Sequence, residues 1–195
     1  MDREIRALLS RLRALEEEWE RKAEARQTEF RYRLERRRVV FEQAIAERHR
    51  EVRTGMMRFL RESPLSALFT APVLYALVVP LGFLDLAVSL YQWICFPAWG
   101  VPRVRRGDYL VIDRHYLGYL NPVQKLNCSY CGYATGMIAF AREVAARTEQ
   151  YWCPVKHAAR TQGAHDRYRD FLEYGDAGDF EARAEALRQK LRDQK

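Results

Sequence analysis

The stretch Leu65–Ala98 constrains this chain more than any other, because its 34 residues carry a single charge, Asp85. An apolar run of that length needs cover, either a bilayer or a protein core. One crossing takes about 20 apolar residues, so the run is long for one span and short for two. Pro64, Pro72, Pro80 and Pro97, together with Gly82, divide it into arms over 65–81 and 83–97. Proline removes a backbone donor and crowds the preceding turn, so the pattern predicts a helical hairpin with its deep turn at Gly82–Asp85.

The flanks sharpen that expectation. Arg53, Arg58 and Arg61 precede the run, and Arg103, Arg105 and Arg106 follow it. Cationic flanks favour the cytoplasmic side of a membrane. A hairpin that dips in and returns keeps both flanks there, whereas a single tilted span would export one. Tyr91, Trp93, Phe96 and Trp99 near the exit suit an interfacial aromatic belt. Asp85 is costly in hydrocarbon and has to be neutral, paired or wet. The competing reading is a buried hairpin in a soluble core, which detergent partitioning would separate from a membrane one. The expected location is the cytoplasmic face of a bacterial inner membrane, with membrane lipid as a partner.

Charge is distributed in the same three blocks. The chain has 195 residues, 33 Lys+Arg and 26 Asp+Glu, for a net charge of +7. Residues 1–63 carry +4, residues 64–99 carry −1 and residues 100–195 carry +4. The implied organisation is a charged segment over 1–63, an apolar membrane segment over 64–102 and a small domain over 103–195. An apolar fraction of 48 % excludes a wholly disordered chain. Four cysteines are too few for a disulfide scaffold. Met1–Ala14 is charged and has no apolar core, so no cleavable secretory signal is expected there.

Residues 2–62 contain one Gly, no Pro and abundant Arg, Glu, Ala and Leu, which are good helix formers apart from the glycine. Apolar pairs four apart recur every eleven residues: Leu8/Leu12, Trp19/Ala23, Phe30/Leu34, Phe41/Ile45 and Val52/Met56. Arg26, Arg37 and Arg48 keep the same interval. Eleven residues in three turns keeps a stripe nearly straight on a helix. The expectation is one long amphipathic helix, a coiled-coil-like rod that docks through residues 5–60 on a protein partner or a second copy. A helix lying on anionic lipid is the second reading. Nucleic acid is the third, through Arg36-Arg37-Arg38, but the interspersed acids dilute the field, and no specific nucleic-acid partner is expected.

Beyond the apolar run, Asp108–Asp113 reads as a short strand or extended segment. Asn121-Pro122 is a helix start, with Val123, Leu126, Tyr130, Tyr133 and Met137 at helical spacing and a second helical stretch over Met137–Trp152. Cys153-Pro154 predicts a corner, helix resumes to about Glu173, and a last charged helix covers Asp179–Arg192. The fold class is therefore all-α, a mostly helical chain.

Candidate chemistry sits in this last segment. Cys128, Cys131, Cys153 and His157 form a C-x2-C-x21-C-x3-H set, which offers four ligands to a structural zinc or thiolates to an iron–sulfur cluster. Gly132 stands where a c-type haem box needs His. A straight helix between Cys131 and Cys153 would hold them about 30 Å apart, so four-ligand binding requires a break near Gly132–Gly136. A sharp corner at Cys153-Pro154 would instead bring Glu149 toward His157 and Glu143 toward His165. The plain alternative pairs Glu143 with Arg147 four residues on. No phosphate loop, HExxH, GxSxG or dinucleotide fingerprint is present. The expected function is a membrane-anchored scaffold or accessory subunit without catalysis. A membrane-associated metal or thiol redox enzyme using the same four residues is the rival.

Overall fold

A computed structural model of the chain describes residues 3–29, 32–35, 38–41, 43–53 and 55–194; the side chains of 3–6, 9 and 23–46 fall outside that description. The protein is mostly helical, as expected. It divides into two compact units, Met1–Glu62 with Asp113–Leu126, and Ser63–Ile112 with Asn127–Lys195.

In the first unit, helix α1 spans Arg3–Glu29. Leu8, Leu12, Leu15 and Trp19 recur at intervals of four and three along one face, and all are exposed. The long helix expected across this segment is not continuous. Strands β1 (Tyr32–Glu35) and β2 (Arg38–Phe41) pair antiparallel, with Tyr32 opposite Phe41 and Leu34 opposite Val39. Tyr32, Val39, Val40 and Phe41 are β-branched or aromatic and favour a pleated surface over a helix. Leu34 and Phe41, members of the eleven-residue series, thus lie on strands; Phe30 and Arg37 lie outside the described residues. Helix resumes in α2 (Gln43–Glu51) and α3 (Met56–Glu62), where Arg58 pairs with Glu62 at 2.7 Å. Gly118 gives His49 its space, since a Cβ there would stand 3.1 Å from the His49 Cβ.

The second unit begins with the apolar run. Helices α4 (Leu65–Ala76) and α5 (Val78–Trp99) are separated by Leu77 alone, whose angles, φ −63° and ψ −15°, remain right-handed helical. The expected hairpin is therefore absent, and Gly82 and Asp85 both lie inside α5. The placement of Pro80 explains this. It is the third residue of α5, in the first turn, where a backbone N–H has no partner to lose. The carbonyl its ring would crowd belongs to Ala76, the last residue of α4. The proline interrupts the helix without reversing it.

A true reversal comes at Gly100, left-handed at φ +69°. Gly100 N–H donates to Pro97 C=O at 3.2 Å and Val101 N–H to Phe96 C=O at 2.8 Å, the Schellman pattern that satisfies terminal carbonyls. Val101 and Phe96 are both buried, closing the turn with an apolar contact. From there the chain returns as an irregular strap. Of the short strand or extended segment expected over Asp108–Asp113, no paired strand forms; residues 110–113 are neither helix nor strand and lie between single helical turns at Arg106–Asp108 and Arg114–Tyr116.

Helix α6 (Pro122–Trp152) starts where Asn121-Pro122 predicts. Asn121 Oδ1 accepts from Gln124 N–H and Asn121 N–H donates to Gln124 Oε1, each at 2.9 Å, a reciprocal capping box. The helix then runs without the break that metal binding required. Gly132 and Gly136 instead admit the strap: a Cβ at Gly136 would lie 2.7 Å from Tyr109 C=O, and one at Gly132 would lie 3.2 Å from Val111 C=O. Phe96, Val101, Val104, Met137, Phe140, Val144 and Leu191 form the core around this contact.

Past α6 the helix expected to Glu173 does not form. Lys156 N–H donates to Leu172 C=O and Leu172 N–H to Pro154 C=O, both at 2.8 Å, and these bonds hold an irregular loop closed with one turn at Asp166–Asp170. Helix α7 (Phe180–Arg192) matches its expected bounds within a residue and buries Ala184 and Leu191.

Candidate functional site

Leu65–Trp99 is 35 residues long, its most apolar 18 residues have mean hydropathy 2.1, and it is long and apolar enough to cross a membrane. Asp85, its one charge, is paired. Arg106 Nε donates to Oδ1 at 3.1 Å and its terminal nitrogen donates to Oδ2 at 2.6 Å. Tyr133 Oη donates to Oδ2 at 3.1 Å and Ser89 Oγ to Oδ1 at 3.4 Å. The bidentate fork matches the carboxylate plane. Of the three outcomes open to Asp85, pairing is the one realised.

Other polar groups on this helix also find partners in the same unit. Tyr75 Oη donates to Asn127 Oδ1, and its ring meets Tyr130 edge-on at 5.7 Å. Tyr91 Oη and Thr148 Oγ1 lie 2.9 Å apart. Gln92 is buried and binds the strap: Val104 N–H donates to its Oε1 at 2.9 Å. Trp99 stacks on Tyr151 with centroids 5.1 Å apart. These contacts climb the apolar helix and α6 in step, so the two run in the same direction. The strap runs back between their ends, with Pro102 C=O accepting from Arg147 at 2.6 Å.

A second polar cluster surrounds Glu143. Arg147 Nε reaches Oε1 at 2.9 Å and Arg167 reaches the same oxygen at 3.0 and 2.7 Å. Arg167 also donates to Gln150 Oε1 at 3.0 Å. Burial pushes the Glu143 carboxyl up, but the two guanidiniums outweigh it and hold the group below its ordinary value. Glu143 thus takes the plain i,i+4 partner and adds Arg167, leaving His165 to Glu149 at 2.9 Å. His165 Nδ1 accepts Tyr168 N–H at 3.1 Å, so in the neutral ring Nε2 carries the proton and donates to Glu149. The Glu149–His157 and Glu143–His165 pairings are both replaced. The cluster clamps the 155–172 loop to α6. Arg167 went unrecognised in the sequence because it lies in a segment read as continuous helix.

The four candidate metal ligands are not brought together. Cys128 and Cys131 lie on α6, and Cys153 follows its last residue. Continuous helix at 1.5 Å per residue puts Cys131 and Cys153 about 33 Å apart, so one metal cannot be shared among them within one chain. His157 stacks on Tyr168, centroids 6.1 Å apart. Among the described residues no group of three or more His, Cys, Asp or Glu side chains is placed to hold a metal ion. All four cysteines are free thiols, with Cys131 and Cys153 exposed. No protein-family model, curated protein or solved structure matches the chain.

Proposed function

We propose that this chain is a membrane-anchored scaffold or accessory subunit, facing the cytoplasm and performing no catalysis of its own. One observation carries the proposal: the apolar helix Leu65–Trp99 exposes Phe69, Val73, Val79, Phe83, Leu86, Leu90 and Trp93 while its single charge is neutralised by Arg106 of the same unit. Exposed apolar surface of that extent needs an apolar phase, and a paired Asp85 removes the main obstacle to entering one. Cationic flanks support the cytoplasmic side, which in a bacterium is the inner leaflet of the inner membrane. The partner-docking surface is α1, whose stripe Leu8, Leu12, Leu15 and Trp19 is exposed and fits a protein helix or a second copy.

Flotation with vesicles of phosphatidylethanolamine and phosphatidylglycerol tests the anchor. The full chain is expected to float with the lipid and to resist alkaline carbonate. Recovery in the soluble fraction would refute the anchor.

A further inference from the structure

We infer that the apolar helix does not cross the bilayer but lies along one leaflet, its unpacked face in the acyl chains and its packed face toward its own unit. The inference rests on the membrane-anchor proposal and gives it a geometry. On α5, Asp85, Ser89, Gln92 and Phe96 recur at intervals of three and four and turn inward, onto Arg106, Val104 and the core. Phe83, Leu86, Leu90 and Ile94 recur at the same intervals on the opposite side and are exposed. The polar side chains Asp85, Ser89 and Gln92 thus share the inner side of α5, and the opposite side is wholly apolar and free to enter lipid.

The polar partners are spread along its length, and this decides against a crossing. A hydrocarbon core about 30 Å thick takes about 20 helical residues. Every window of that length within Leu65–Trp99 contains Tyr75 or Asp85. A window containing Tyr75 draws Asn127, in the second turn of α6, into hydrocarbon. A window containing Asp85 draws in the Arg106 guanidinium, whose side chain is half exposed, together with the irregular strap that carries it. Irregular backbone facing lipid at that depth does not occur, and a guanidinium there is costly. Lying flat, the helix keeps Asn127, Arg106 and the strap on the water side while the outer face sinks in. Exposed Arg103 and Arg105 just beyond its end match the phosphates of anionic lipid. Both cationic flanks then stay on one side, as the flanking charges require.

Azido-phenylalanine placed together at the exposed positions 61 and 103 tests this in the full chain. The protein is reconstituted into sealed vesicles of phosphatidylethanolamine and phosphatidylglycerol and treated with an impermeant alkyne-polyethylene glycol. A helix lying on one leaflet gives molecules with two tags or none. A crossing helix gives one tag per molecule, rising to two when detergent opens the vesicles, and that result would overturn the inference while leaving the anchor intact. Protein that fails to float with the vesicles would instead refute the anchor itself.

Discussion

Asp85, the one charge on the apolar helix, is held by the two-pronged contact of Arg106. Removing the cation leaves a carboxylate whose side chain is 15 % exposed on an otherwise uncharged segment. Arg106→Ala is expected to lower stability by about 1 kcal/mol, the pair's worth being reduced by solvent around the half-exposed Arg106. Arg106→Lys should recover part of that loss, because it keeps the charge but not the fork; melting in detergent measures both. Glu143 gives a pH signature. Its folded-state value lies below the ordinary 4.5, so its stabilising contribution is complete above that value and fades as pH falls through the lowered one. Glu143→Gln is therefore expected to flatten the acid limb of the stability–pH curve. At pH 7 the same change should cost about 2 kcal/mol, since Arg147 and Arg167 lose a charged acceptor. An unchanged acid limb would show that this carboxylate is not a source of the slope.

At the scale of elements, the contact between α6 and the strap turns a routine expectation around. Glycine to alanine inside a helix ordinarily stabilises by about 0.5–1 kcal/mol. Gly136→Ala places a methyl 2.7 Å from Tyr109 C=O and 3.0 Å from the Leu110 Cα, so it is expected to destabilise by about 1–3 kcal/mol. Gly132→Ala, at 3.2 Å from Val111 C=O, should cost less. A higher melting temperature for Gly136→Ala would refute the close approach. The same unbroken helix separates the cysteines. Zinc in equimolar amount is expected to leave the maleimide reactivity of Cys131 and Cys153 in the monomer unchanged, and protection of both thiols would contradict the separation. The start of α6 and its end at Trp152 were legible because capping residues and proline act locally, and the bounds of α7 because good helix formers follow the Gly175 and Gly178 turn. The pairing of β1 with β2 was not, because spacing arguments weigh which face is apolar and pass over the preference of Val39, Val40 and Phe41 for extended backbone.

For the molecule as a whole, the outer face of Leu65–Trp99 is proposed to govern membrane binding and the inner face to govern folding. Leu86→Arg combined with Leu90→Arg changes only side chains that are more than half exposed. Burying a leucine side chain in an apolar phase is worth about 1.5–3 kcal/mol, so the double variant, which loses two, is expected to bind vesicles at least about a hundredfold more weakly. Its melting in detergent should stay within about 0.5 kcal/mol of the parent, as surface changes ordinarily do. Equal vesicle binding by the two proteins would count against lipid as what covers this face. The sequence by itself determined that the chain is mostly helical, that an apolar segment with one charge lies between two basic ones, and where α6 and α7 begin and end. Those features depend on composition and on neighbours a few residues apart. The tertiary structure alone decided that Pro80 and Gly82 do not reverse the helix, that Asp85 meets Arg106, that Gly132 and Gly136 make room for the strap, and that the cysteines stay apart. Each depends on residues distant in sequence, or on which carbonyl a proline happens to face, and local pattern carries no information about either.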